Sequence, residues 1–106
     1  VRKVYYPGLA SHPGHGIAMK QMKSGGAMIS LEVAGGLAAS TSFLTKLRIF
    51  ACAESLGGVE SLIERRRRIP AEPHTVPENL VRLSVGLEHV DDLWADLEQA
   101  LDRSAG

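Results

Sequence analysis

Two hydrophobic periods alternate along this chain, and their order predicts its elements. Over residues 27–33, Met28, Ser30 and Glu32 alternate with Ile29, Leu31 and Val33, the period of a strand with one buried face. Residues 80–87 show the same alternation: Leu80, Arg82, Ser84 and Gly86 share one face, and Val81, Leu83, Val85 and Leu87 form an apolar face opposite. Between these strands Leu37, Ser40, Phe43, Leu44 and Leu47 recur at helical spacing, which predicts a helix over 37–48 behind the break at Gly35-Gly36. A second strong helix follows Asp91 and Asp92, whose charges suit a helix N-terminus, with Leu93, Trp94, Leu97 and Leu101 on one side. Residues 104–106 should fray.

The remaining segments are shorter. Residues 1–6 are β-branched and aromatic and stop at the Pro7-Gly8 turn signal, so 1–10 reads as an extended lead-in. Ser11 or His12 opens a helix carrying Ile17, Ala18, Met19 and Met22, which ends at Ser24-Gly25-Gly26. Residues 49–53 form a short apolar run that predicts a buried strand, and 59–63 a further strand or turn. The four consecutive arginines Arg65, Arg66, Arg67 and Arg68, followed by Pro70, Pro73 and Pro77, predict an exposed loop over 65–78. No internal repeat is evident. The order strand, helix, strand, helix, strand, loop, strand, helix favours an α+β domain: a small, mostly antiparallel sheet with helices packed on one face.

Composition narrows the function classes. The 106 residues suit one domain with one core. Twelve basic and twelve acidic side chains cancel, which argues against a nucleic-acid binder driven by bulk charge. No apolar run is long enough to span a bilayer. The single cysteine, Cys52, suits a reducing cytoplasm, and its apolar neighbours predict a buried, inert thiol. The chain opens at Val1 already in an extended pattern, which reads as the tail of a longer polypeptide.

Chemistry concentrates at two places. Arg82 is a lone guanidinium inside a strand pattern, and a buried charge of that kind needs an anionic partner. Its planar fork matches a carboxylate, either that of a small ligand or that of a neighbouring Asp or Glu in a structural ion pair. The stretch Ala53-Glu54-Ser55-Leu56-Gly57-Gly58 joins a carboxylate and a hydroxyl to two glycines, which would let backbone approach a ligand closely or simply close a capped turn. His12, His15, His74 and His89 lack the partners of a metal set and read as turn and cap residues. Gly25-Gly26, Gly35-Gly36 and Gly57-Gly58 carry no phosphate-loop fingerprint. The arginine run reads as a solvated charge cluster.

These residues also carry a resemblance. The stretches Tyr6-Pro7-Gly8-Leu9-Ala10-Ser11-His12-Pro13, Gln21-Met22-Lys23, Gly26-Ala27-Met28-Ile29-Ser30-Leu31-Glu32, 53–64 and 80–101 resemble, in order and spacing, the C-terminal domain of the Cys/Met-metabolism enzymes that depend on pyridoxal phosphate, the cystathionine γ-synthases, γ-lyases and relatives. The resemblance implies the C-terminal domain of a fold-type I pyridoxal-phosphate enzyme spanning 1–106. It also implies a transsulfuration role in methionine and cysteine metabolism on sulfur amino acids. Arg82 would grip the substrate's α-carboxylate, Ser55 would lie beside the cofactor-binding lysine, and Glu54 would hold a distal amino group. In that family the Schiff-base lysine and the phosphate ligands belong to a large domain. Lys3, Lys20, Lys23 and Lys46 stand in other contexts, so this chain alone is expected to bind no cofactor and to be inactive. Homo-oligomerisation or association with a large domain is the implied partnership. The alternative is a standalone interaction module pairing with another subunit. One segment departs from the pattern: after Glu64 the family usually has His-Pro leading to Met-Thr-His, and here the arginines stand instead, as a local change of reading frame would leave them.

Overall fold

The computed structural model describes residues 1–53, 56–68 (Arg68 by its backbone alone) and 75–104. Glu54, Ser55 and His74 lie outside the described residues. Among the described residues five strands form one sheet in the order β1-β2-β5-β4-β3, with β1 at Lys3–Tyr5, β2 at Met28–Glu32, β3 at Ala51–Cys52, β4 at Leu62–Arg65 and β5 at Leu80–Ser84. All pairings are antiparallel except that of β3 with β4. The described residues also form three α-helices: α1 at His15–Gln21, α2 at Gly36–Lys46 and α3 at Val90–Ser104. The α+β expectation, a mostly antiparallel sheet with helices on one face, describes this architecture.

Period-two alternation sorts the sheet's faces. Leu31, Val33, Ile63, Val81 and Leu83 point into one cluster with Phe43 of α2 and Leu93 and Ala100 of α3. Removing these branched and aromatic side chains from water is the main favourable term in folding. The opposite face carries Tyr5, Ser30, Glu32, Glu64, Arg82 and Ser84. Asn79 fastens one end of the sheet, its Nδ2 donating to Val33 O at 2.8 Å while Val33 N donates to Asn79 O at 3.1 Å. α2 begins at Gly35, whose left-handed φ of 97° suits glycine. α3 begins where His89 Nδ1 accepts the Asp91 N–H, with Asp91 and Asp92 in its first turn.

Several expectations change. The 49–53 strand is reduced to two exposed residues at the sheet edge, so Cys52 is exposed rather than buried. Of that run it is Phe50 that enters the core. Trp94 and Leu87 are also exposed, because α3 turns Leu93, Asp96 and Ala100 inward and β5 ends at Ser84. α1 starts later than expected and buries none of its residues. The arginine run is not a solvated loop: β4 extends through Arg65 and a 3-10 turn spans Arg66–Arg68. Arg65 and Arg67 both bind Glu78, whereas Arg66 binds Glu64. Arg65, Arg66 and Arg67 thus divide between two carboxylates.

Candidate carboxylate site

The antiparallel registers align four side chains in one row across the polar face. Tyr5 stands opposite Ser30, Ser30 opposite Arg82, and Arg82 opposite Glu64. Arg82 therefore lies on β5, between β2 and β4, where a side chain has little freedom to swing. Its Nη2 donates to Glu64 Oε1 at 3.0 Å. The side chain of Glu64 is only 1 % exposed, and that of Arg82 is 19 % exposed. A carboxylate buried to that degree is tolerated only when it is ion-paired and hydrogen-bonded. Arg66 supplies a second guanidinium, its Nη1 donating to the same Oε1. The structural ion pair considered for Arg82 is thus present, and its partner is named.

A second network fastens the loop that follows Ser55. Gly57 N donates to Ser84 Oγ at 3.0 Å, and Leu87 N donates to Val59 O at 2.8 Å. Ser61 gives both its N–H, at 2.9 Å, and its hydroxyl, at 2.7 Å, to the Glu88 carboxylate. The Ser61 hydroxyl in turn accepts the Gly86 N–H at 2.9 Å. The Ser61 backbone N–H, its hydroxyl and the Glu88 N–H hold the Glu88 carboxyl below its ordinary range, against the opposing effect of burial. Gly86 is required for this approach, since a Cβ there would lie 2.3 Å from Val59 O. Residues 56–61 are thereby clipped to the end of β5, two residues beyond Arg82.

At the β1 edge Tyr5 Oη donates to Glu32 Oε2, and Lys3 Nζ lies 4.7 Å from the centre of the Tyr5 ring. The Glu32 hydrogen bond, then burial, then the Glu32 charge raise the Tyr5 phenol above its ordinary range. The described histidines take turn and cap roles: His12 N donates to Leu9 O at 3.0 Å, His15 Nδ1 meets Pro7 O at 2.8 Å and His89 caps α3. Among the described residues no His, Cys, Asp and Glu cluster could hold a metal, and no helix is long and apolar enough to cross a membrane.

Of the sequence-derived site residues the structure places Arg82, on the polar face beside Ser30 and Glu64; Glu54 and Ser55 fall outside the described residues. Glu64, Arg66, Ser61 and Glu88 were not anticipated. Alternation along 62–65 places Glu64 opposite Ile63, but its pairing with Arg82 depends on a register that no local pattern reports.

The residues at 1–102 match the family described as Cys/Met metabolism PLP-dependent enzyme. The chain is 48 % identical over 111 residues to an L-methionine gamma-lyase of Fusobacterium nucleatum subsp. polymorphum, covering 97 % of this chain and 28 % of that protein. It is 50 % identical over 106 residues to a cystathionine gamma-synthase of Mycobacterium tuberculosis (strain ATCC 25618 / H37Rv), covering 95 % of this chain and 27 % of that protein. Similar identity to a lyase and to a synthase means that identity does not choose the reaction. A solved cystathionine gamma synthase from Xanthomonas oryzae pv. oryzae, in complex with aminoacrylate and cysteine, superposes with a TM-score of 0.94 at 45 % identity, over 99 % of this chain and 29 % of that one. The chain thus spans less than a third of the length of these relatives.

Pyridoxal phosphate needs a lysine amine for its aldehyde and a cradle of donors for its phosphate. Lys20 and Lys23 are exposed at the end of α1, Lys46 closes α2, and Lys3 sits on the edge strand. None stands on the row with Arg82, so the described residues do not by themselves fit the cofactor. What they share with the relatives is the fold and a sequence match over nearly the whole of this chain, and on that match the chain belongs to the Cys/Met metabolism family of pyridoxal-phosphate-dependent enzymes.

Proposed function

We propose that this chain is the substrate-recognition part of a transsulfuration enzyme, and that Arg82 holds the α-carboxylate of a sulfur amino acid. The observation that carries this reading is the placement of Arg82. It is an arginine on an interior strand, held by a buried carboxylate directly opposite, with part of its side chain still reaching solvent. Such an anchor orients the guanidinium fork, and charge-assisted bonds to a planar carboxylate are among the stronger polar contacts available. Ser55 and Glu54 take the roles of neighbours, Ser55 toward the lysine or substrate and Glu54 toward a distal amino group. The clipped loop at 56–61, next to them in the chain, supports that assignment. The names of the relatives favour cystathionine, methionine or their sulfur-containing kin as the substrate class. The electron-sink chemistry belongs to a cofactor held by a large domain that these residues do not supply, so the chain alone is inactive.

Calorimetric titration of the 106-residue chain with L-cystathionine and L-methionine tests the proposal. Arg82→Ala should lose at least about tenfold in affinity, the size of one charge-assisted bond. Equal affinity in the variant would refute the reading, as would a reducible aldimine band on adding pyridoxal phosphate to the chain alone.

A second reading, an interaction module that pairs with another subunit, draws on α1. Ile17, Met19 and Met22 are exposed there, with Leu9 and Val4 nearby in the chain. Exposed apolar side chains of this kind favour association when a partner covers them. Size-exclusion chromatography, alone and with a separately produced cofactor-binding domain, distinguishes the two, and a monomer that ignores the added domain would count against pairing.

A further inference from the structure

Arg48 and Asp92 are two charges that the carboxylate row leaves unused. Both line a groove of ≈ 410 Å³ between the segment that follows α2 and one face of α3, together with Ile49, Ala95, Asp96 and Gln99. Asp92, Ala95, Asp96 and Gln99 follow one another at i, i+3, i+4 and i+7, so a single face of α3 makes one wall. The other wall, Arg48 and Ile49, is fastened to the first by the buried Asp96 carboxylate, which accepts their backbone N–H groups at 2.8 and 2.7 Å. Gln99 braces the same junction, its Nε2 donating to Lys46 O at 2.5 Å and to Asp96 Oδ1 at 3.1 Å. With its charge met by these donors, Asp96 makes no ion pair with the Arg48 guanidinium. Nor does Arg48 pair with Asp92, and among the described residues neither side chain has a hydrogen-bond partner. The groove therefore presents one cation and one anion on opposite walls, beyond ion-pair reach of each other. A simple anion would gain Arg48 but meet Asp92, and a simple cation the reverse. A ligand that carries both charges a few bonds apart gains both.

We propose that this groove is a binding site for a zwitterionic α-amino acid with an apolar side chain. The ligand's carboxylate lies on the Arg48 guanidinium, its ammonium on the Asp92 carboxylate and its side chain against Ile49 and Ala95. Asp96 already holds the backbone of Arg48 and Ile49 to α3 before the ligand arrives, which lowers the ordering cost of binding. The site lies on the helical side of the sheet, whereas Arg82 is on the opposite, polar face, so it stands independently of the reading of Arg82.

L-Leucine is the probe, titrated into the 106-residue chain while backbone amide and arginine Nε–Hε resonances are followed. The signals of Arg48, Ile49, Asp92 and Ala95 should move together along one saturation curve. L-Leucinamide lacks the carboxylate and 4-methylpentanoate lacks the ammonium, and each should bind about fivefold more weakly, the size of one exposed charge pair. Arg48→Gln and Asp92→Asn should each lose a similar factor for L-leucine. Both side chains are exposed, so the variants should keep the parent's far-UV circular dichroism. The Asp92→Asn loss should vanish with 4-methylpentanoate, which has no ammonium to lose, and the Arg48→Gln loss should vanish with L-leucinamide. If the groove signals do not move with L-leucine, if both variants bind it as the parent does, or if the two single-charge analogues bind as well as L-leucine, the proposal is overturned.

Discussion

Asp96 offers the sharpest test of how this domain is held together. It lies on α3 and is 5 % exposed, yet it is ionised in a place where an isolated carboxylate would be costly. Three consecutive backbone donors compensate: Arg48 N at 2.8 Å, Ile49 N at 2.7 Å and Phe50 N at 3.2 Å. Gln99 Nε2 adds a fourth contact at 3.1 Å. These bonds fix the path of the chain from α2 into β3 and seat Phe50 in the core. Hydrogen bonds to a charged group contribute about 1.5–3 kcal/mol each, and three would sum to roughly 4.5–9 kcal/mol. A groove of ≈ 410 Å³ lined by Arg48, Asp92, Ala95 and Gln99 opens beside the site, so water can solvate part of what a truncation exposes. Asp96→Ala should therefore cost about 3–4 kcal/mol, a large share of the roughly 5–15 kcal/mol that holds a domain together. Asp96→Asn, which keeps one acceptor but points a donor at donors, should cost about 2–3 kcal/mol. Urea unfolding followed by far-UV circular dichroism measures both. The acid dependence provides a separate check. Burial raises the Asp96 pKa, but the Ile49, Arg48 and Phe50 N–H groups and Gln99 outweigh it and leave the value below the ordinary 3.8. A carboxylate depressed in the folded state contributes stability that is complete above its unfolded value. That contribution is lost as the pH falls through the depressed folded value. The gap between the parent and Asp96→Asn should thus be constant above about pH 5 and close below the ordinary carboxylate range. An Asp96→Ala variant within about 1 kcal/mol of the parent, or a gap that does not close in acid, would refute this account.

Two further outcomes follow from the loop beside Arg82. Gly86→Ala places a methyl against Val59 and Glu60 backbone, at 2.3 Å from Val59 O, and should cost about 2 kcal/mol in urea unfolding while speeding amide exchange across residues 56–61. Ser61→Ala removes the hydroxyl bond to Glu88 and leaves the backbone one, so the Glu88 pKa should move up from its depressed position toward the ordinary 4.5. Carboxyl carbon shifts followed through an acid titration read this directly, and an unmoved midpoint would show that the hydroxyl does not act on Glu88.

Local pattern accounts for a definite part of this protein. Alternation along 27–33 and 80–87 placed β2 and β5 and sorted their faces, because a half-buried strand must put apolar residues at every second position. Helical spacing placed α2 and α3 for the corresponding reason, and the same alternation put Arg82 on the polar face. Asp96 shows where such reasoning stops. On the sequence it is an unremarkable acid between Trp94 and Leu97, and its partners lie up to 48 residues away on another element. The exposure of Cys52 was equally hidden, since whether a short apolar run is central or at an edge depends on which strand pairs beside it.

The arginine run shows the same division at the site. The residue types alone specified a cluster of positive charge after Glu64, together with an arginine in a later strand that required an anion. Which anion each would meet was decided by tertiary structure. The antiparallel register of β4 on β5 sets Glu64 opposite Arg82, and the 3-10 turn that follows Arg65 leaves Arg65 and Arg67 on Glu78 and Arg66 on Glu64. Strand alternation is a local property and is written in the sequence. Register and neighbour order are collective properties of the packed sheet, and they turn the lone charge of Arg82 into a paired, oriented fork.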